Sequence, residues 1–116
     1  MAVMGTHKLF DNVTIAASGS STSVSVYMGN ATAMALHLRA IAATAPDVTF
    51  TYDLSTNKDT DFTTPSSPVT IGVNLAAVDV LDFSPEAAKF IRIIATNNNG
   101  VNAVTLTGIL AIQELT

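Results

Sequence analysis

Apolar and polar residues alternate through most of this chain with a period of two, the signature of half-buried β-strands. The clearest case is Val48-Thr-Phe-Thr-Tyr-Asp-Leu-Ser55. It sets Val48, Phe50, Tyr52 and Leu54 on an inward face and Thr49, Thr51, Asp53 and Ser55 on an outward one. Lys8–Ala17 repeats the pattern with Val13, Ile15 and Ala17, and Ser23–Met28 with Val24, Val26 and Met28. Val69–Leu75 does so with Val69, Ile71, Val73 and Leu75, Gly72 marking a bulge. Val78–Phe83, the nearly continuous apolar run Lys89–Thr96 and the longer Val104–Leu115 complete the clear strands. Gly108 interrupts the last of these, which predicts a bulge that switches its inward face.

Ala31–Thr44 fits two periods. Its Ala, Met and Leu content favours helix on propensity, and a helix would group Met34, Leu38 and Ile41. Period two groups Met34, Leu36, Leu38 and Ala40 against Ala35, His37, Arg39 and Ile41. Strand is the expectation, because every neighbouring segment is a strand and Ala31-Thr32 makes a poor helix start.

Turn chemistry separates these segments at Ser18–Thr22, Gly29-Asn30, Ala45-Pro46-Asp47, Ser84-Pro85-Glu86 and the Asn97–Asn102 tip. Residues 1–7 read as a flexible lead-in. The polar stretch Thr56–Pro68 is longer than the usual connection of about 4–6 residues, which marks it as functional or mobile. About eight short strands at this spacing predict an all-β fold, a single antiparallel β-sandwich of jelly-roll type spanning residues 1–116.

Composition adds a second expectation. Of 116 residues, 48% are hydrophobic and 12% charged, the latter about half the usual share. So apolar a chain is expected to hide surface by self-association. A net charge of −4 argues against a nucleic-acid footprint. No run of 18 apolar residues is present to span a membrane. The first ten residues lack the basic and apolar regions of a secretory signal. Cysteine is absent, so disulfides and thiolate chemistry are excluded.

Catalytic candidates are few. His7 and His37 are two isolated histidines, and no nucleophile elbow, Walker loop or dinucleotide fingerprint occurs. The chain is expected to be non-enzymatic, without cofactor and without a metal. Asp53, Asn57, Asp59 and Asp61 could supply oxygen ligands to Ca²⁺, but the glycine and bidentate glutamate of an EF-hand are missing. A solvated loop is the plainer reading. Asn97, Asn98, Asn99 and Asn102 could hold sugar through polar side chains. Arg92 lies among Ile91, Ile93, Phe90 and Ile94, where an unpaired charge is costly. Its expected partner is Asp79, Asp82 or Glu86 in the chain, or an acid on a neighbouring subunit. Arg39 has the same character, and Lys89 reads as a solvated edge charge. With Lys8, Asp59 and Asp61 these residues form the candidate interface set: Arg92, Arg39, Lys89, Lys8, Asp59 and Asp61.

Asp82-Phe-Ser-Pro-Glu-Ala-Ala-Lys-Phe-Ile-Arg-Ile-Ile-Ala-Thr-Asn97, followed by Thr107-Gly-Ile-Leu-Ala-Ile-Gln-Glu114, resembles the carboxy-terminal part of small β-sandwich auxiliary virion proteins of tailed bacteriophages. The resemblance implies a decoration or cement protein on the capsid surface, made in the host cytoplasm. It implies a homo-oligomer, a trimer first, bound to the major capsid protein or another virion protein. Residues 1–8 and the Thr56–Pro68 loop are the expected contact-makers. The Ala88–Ile93 strand is also similar to discoidin-like carbohydrate modules, whose aromatics and cysteines this chain lacks. The alternative is therefore a tail-associated or secreted module that binds carbohydrate or a cell surface.

Overall fold

The computed structural model describes residues 2–44, 46–65 and 78–115. Its strands are β1 (Ala2–Ile15), β2 (Ser20–Thr22), β3 (Val26–Tyr27), β4 (Ala31–Ala42), β5 (Val48–Ser55), β6 (Val78–Phe83), β7 (Phe90–Asn97) and β8 (Val104–Leu115). Two antiparallel sheets face each other. The front sheet has the order β1-β8-β4-β6. In the back sheet β7 is central: β5 pairs with its whole length, leaving β2 and β3 to share the other side. The chain changes sheet at each step from β1 to β2, β3 to β4, and onward to β8, the interleaving of a jelly roll. The all-β sandwich expected from alternation is the observed fold.

The core lies between the sheets. Leu36, Leu38, Leu106, Leu110 and Ile112 point in from the front, and Val48, Phe50, Tyr52, Ile91 and Ile93 from the back. The ambiguous Ala31–Thr44 segment is strand, with Met34, Leu36, Leu38 and Ala40 buried. The strand expected over Val69–Leu75, with its bulge at Gly72, lies outside the described residues.

Four local expectations change. Residues 2–7 are not a lead-in: they begin β1 and pair with β8 from Leu115 to Leu110. The bulge assigned to β8 is on β1 instead, where the register shifts between Lys8 and Phe10 and again between Phe10 and Val13. Gly108 keeps its register opposite both Phe10 and Leu38, so the inward face of β8 does not switch. A Cβ at Gly108 would stand 3.0 Å from Phe10 Cδ2 and 3.1 Å from Leu38 Cδ2, so this glycine makes room for two core side chains.

Of the expected Ser23–Met28 strand only Val26-Tyr27 pairs, as β3, while the expected turn Ser18–Thr22 supplies β2. Ser23 Oγ accepts the Ile93 N–H at 2.9 Å, a ladder position that a backbone carbonyl would otherwise fill. The chain bends there, and Val24 is turned out to solvent while Val26 and Met28 remain buried. Finally, Asp53 and Ser55 face away from the core yet are buried. The chain after β5 folds back over them: Leu54 and Thr63 exchange two backbone hydrogen bonds of 3.0 Å, and Ser55 Oγ donates to Thr60 O at 2.6 Å.

Candidate functional site: the outer faces of the two sheets

On the outer face of the back sheet, Asp53 and Arg92 stand directly opposite each other in the β5–β7 pairing. Arg92 Nη2 donates to Asp53 Oδ2 at 3.0 Å and Nε to the same oxygen at 3.3 Å, while Thr64 Oγ1 donates to Oδ1 at 2.7 Å. The guanidinium lies over the Phe62 ring, 4.5 Å from its centroid, a cation–π contact. Strand register and the returning loop thus converge on one ion pair, whose carboxylate is only 10% exposed. The partner of Arg92 is Asp53, not Asp79, Asp82 or Glu86. Glu86 instead accepts the Tyr52 hydroxyl at 2.8 Å, tying the β6–β7 connection to the core. The sequence carried a signal for the Asp53 pairing: two central, oppositely charged, outward positions on two strands of equal length.

The loop acids do not gather. Asp61 accepts a 2.7 Å hydrogen bond from Asn57 Nδ2, Asp53 is bound by Arg92 and Thr64, and Asp59 is exposed. Among the described residues no three His, Cys, Asp or Glu side chains come together as metal ligands. The asparagine tip is internal scaffolding. Asn97 is buried, and its amide reaches Ile15 O and Ala16 O at 3.3 Å and Asn102 O at 3.0 Å. Asn99 Oδ1 accepts from the backbone of Val101 and Asn102, and Asn98 donates to Thr49 at 2.6 Å. These amides close the sandwich end.

The six candidate interface residues are dispersed. Arg92 is on the outer back sheet, Asp59 and Asp61 are in the loop after β5, and exposed Lys89 precedes β7. Lys8 and Arg39 share the outer face of the front sheet, where Lys8 lies 3.8 Å from Asp11.

That front face also carries an apolar set that charge-led reading passed over. Opposed residues in a β ladder project to the same side, so the register places Ala35 with Ala111 and Asp82, His37 with Ile109 and Val80, and Arg39 with Thr107 and Val78. Met4, Ile41, Val78 and Val80 are 51–69% exposed. Ala33, Ala35 and Ala111 floor a shallow depression of about 180 Å³, rimmed by Met4, His37 and Asp82. Among the described residues no element covers this face. A second hollow, of about 290 Å³ and at one end of the sandwich, is lined by Met28, Gly29, Thr32, Phe83, Pro85 and Glu86.

No family model matches the chain, and no curated protein does so significantly. Among solved structures, a family two carbohydrate esterase from Cellvibrio japonicus shares the fold, with a TM-score of 0.54 and 13% sequence identity. The match covers 99% of this chain and 35% of the esterase chain. At that identity the likeness speaks for the fold alone, and this chain spans about a third of the esterase's length.

Proposed function

We propose that this protein is a non-enzymatic structural component of a tailed-phage virion, a decoration or cement protein that binds the head shell as a homo-oligomer. The observation that carries the contact role is the outer face of the front sheet, which no described element covers: Met4, Ile41, Val78 and Val80 are exposed on it, and Ala33, Ala35 and Ala111 floor its depression. Soluble monomers rarely leave such a surface open without a partner. The virion assignment draws on the resemblance of the Asp82–Glu114 region to auxiliary phage proteins. Work of this kind needs no reaction centre. It needs shape and area to bury, and a sandwich whose end is tied by the buried Asn97 amide, with one open sheet face, suits it.

The experiment is co-sedimentation of the purified chain with heads of its phage assembled without it, followed by heating. Saturable binding and a raised melting temperature of the shell are expected. A chain that stays in the supernatant at micromolar concentration overturns the proposal.

The second reading, carbohydrate or cell-surface binding, is favoured by one observation. Tyr27 is 60% exposed and leans on Phe90, with ring centroids 5.5 Å apart, one residue from the hollow that Met28 and Glu86 line. The esterase that shares the fold is named for acting on carbohydrate. A glycan array with reproducible hits that Tyr27→Ala removes would favour this reading over decoration.

A further inference from the structure

We infer that the outer face of the front sheet is a two-fold interface between two copies of this chain, packed sheet on sheet. This deepens the contact reading above by naming one occupant of the face. Two observations carry it, the extent of the surface and the placement of its charges.

The face spans four strands and about five rows of outward residues. With strands about 4.8 Å apart and same-face residues about 6.8 Å apart, it measures roughly 20 by 30 Å, or about 600 Å². Two copies would bury about 1,200 Å² in total, at the lower bound for a specific, stable interface. Around His37 the middle of the patch, Ala35, Ala111, Ile109 and Val80, is small or apolar. Flat sheets with such residues pack at about 10 Å separation.

The charges select the symmetry. Arg39 lies in the row with Val78, and Asp82 lies two rows away beside Ala35, with His37 and Val80 between them. A two-fold axis in the interface plane and across the strands, along the His37–Val80 row, inverts position along each strand. It lays β4 over β4 and brings Arg39 of each copy above the Ala35–Asp82 row of the other, within one strand spacing of the carboxylate. Two ion pairs follow by symmetry. An axis along the strands keeps every row over itself, and Arg39 then never meets Asp82. The surface is complementary to itself in one arrangement of the two. Lys8, at the edge-strand end of the axial row, faces its own counterpart at the rim of the contact, with Asp11 3.8 Å away to offset its charge.

The test uses the absence of cysteine from the natural chain. His37 lies on the axis and so faces its own counterpart. His37→Cys should be joined into dimers by a short bismaleimide, while Thr22→Cys, exposed on the outer back sheet, should not. Analytical ultracentrifugation without any shell should report a dimer. Arg39→Asp or Asp82→Arg alone should weaken it by about a hundredfold, since like charges then oppose, and the double exchange should restore it. All four positions are exposed, so folding is expected to survive, with circular dichroism as the check. A monomer at every concentration, a trimer, equal cross-linking of both cysteine variants, or exchanges that leave the dimer unchanged would overturn the inference. Because no shell is present, failure here is distinct from failure to bind heads.

Discussion

Arg92→Ala should destabilise the fold without altering its oligomeric state. Asp53 is 10% exposed, and truncating Arg92 leaves its carboxylate with the Thr64 hydroxyl as the remaining side-chain donor. Breaking a fully buried ion pair costs about 3–5 kcal/mol. Arg92 is itself 36% exposed, so water can replace part of what is lost, and about 2 kcal/mol is the expected share. Removing the guanidinium from Phe62 adds about 0.5–1 kcal/mol. At about 4 °C per kcal/mol for a chain of this size, the melting temperature should fall by roughly 10–12 °C. Asp53→Ala should cost a similar amount, and the double variant less than the sum, with a coupling near 1.5 kcal/mol. Urea and thermal denaturation of the four proteins supply the cycle, and sedimentation reports their mass. A coupling near zero would refute the reasoning. So would a loss of mass at unchanged stability, which would place Arg92 at a subunit contact.

Two further substitutions probe the scaffold. Gly108→Ala puts a methyl group against Phe10 and Leu38 in a filled core, and thermal denaturation should register a loss of about 1–3 kcal/mol from overpacking. Asn97→Ala removes the amide that joins the β1 end, the Asn102 carbonyl and the Asn99 N–H. It should cost about 2–3 kcal/mol by denaturant titration and speed hydrogen exchange around residues 98–102.

The fold was legible because a period of two requires little context. Val48–Ser55 and Val78–Phe83 have the bounds that alternation assigns them, and β4 followed from the strands around it despite its helix-favouring composition. The departures have local causes that a one-dimensional pattern does not encode. Ser23 entered the ladder with its hydroxyl and displaced Val24. Gly108 reads as an interruption along its own strand, whereas its reason lies across the sheet in Phe10 and Leu38. Asp53 and Ser55 point outward as alternation says, yet a returning loop covers them.

Candidate sites were less legible, because charge draws the eye to residues whose partners depend on pairing. Asp79, Asp82 and Glu86 are the acids near Arg92 in sequence, whereas the strand register pairs it with one 39 residues away. The front face posed the opposite difficulty. Ala35, Ile41, Val78 and Val80 are ordinary when met singly, since exposed apolar residues are common on any surface. Their meaning arises when β4, β6 and β8 are set side by side, and four outward rows then form one face. The same adjacency places Arg39 and Asp82 on either side of the His37–Val80 row, although 43 positions separate them in sequence. A surface whose complementarity is to itself can be recognised only after the sheet is assembled, because each half of the contact is a different part of the same face.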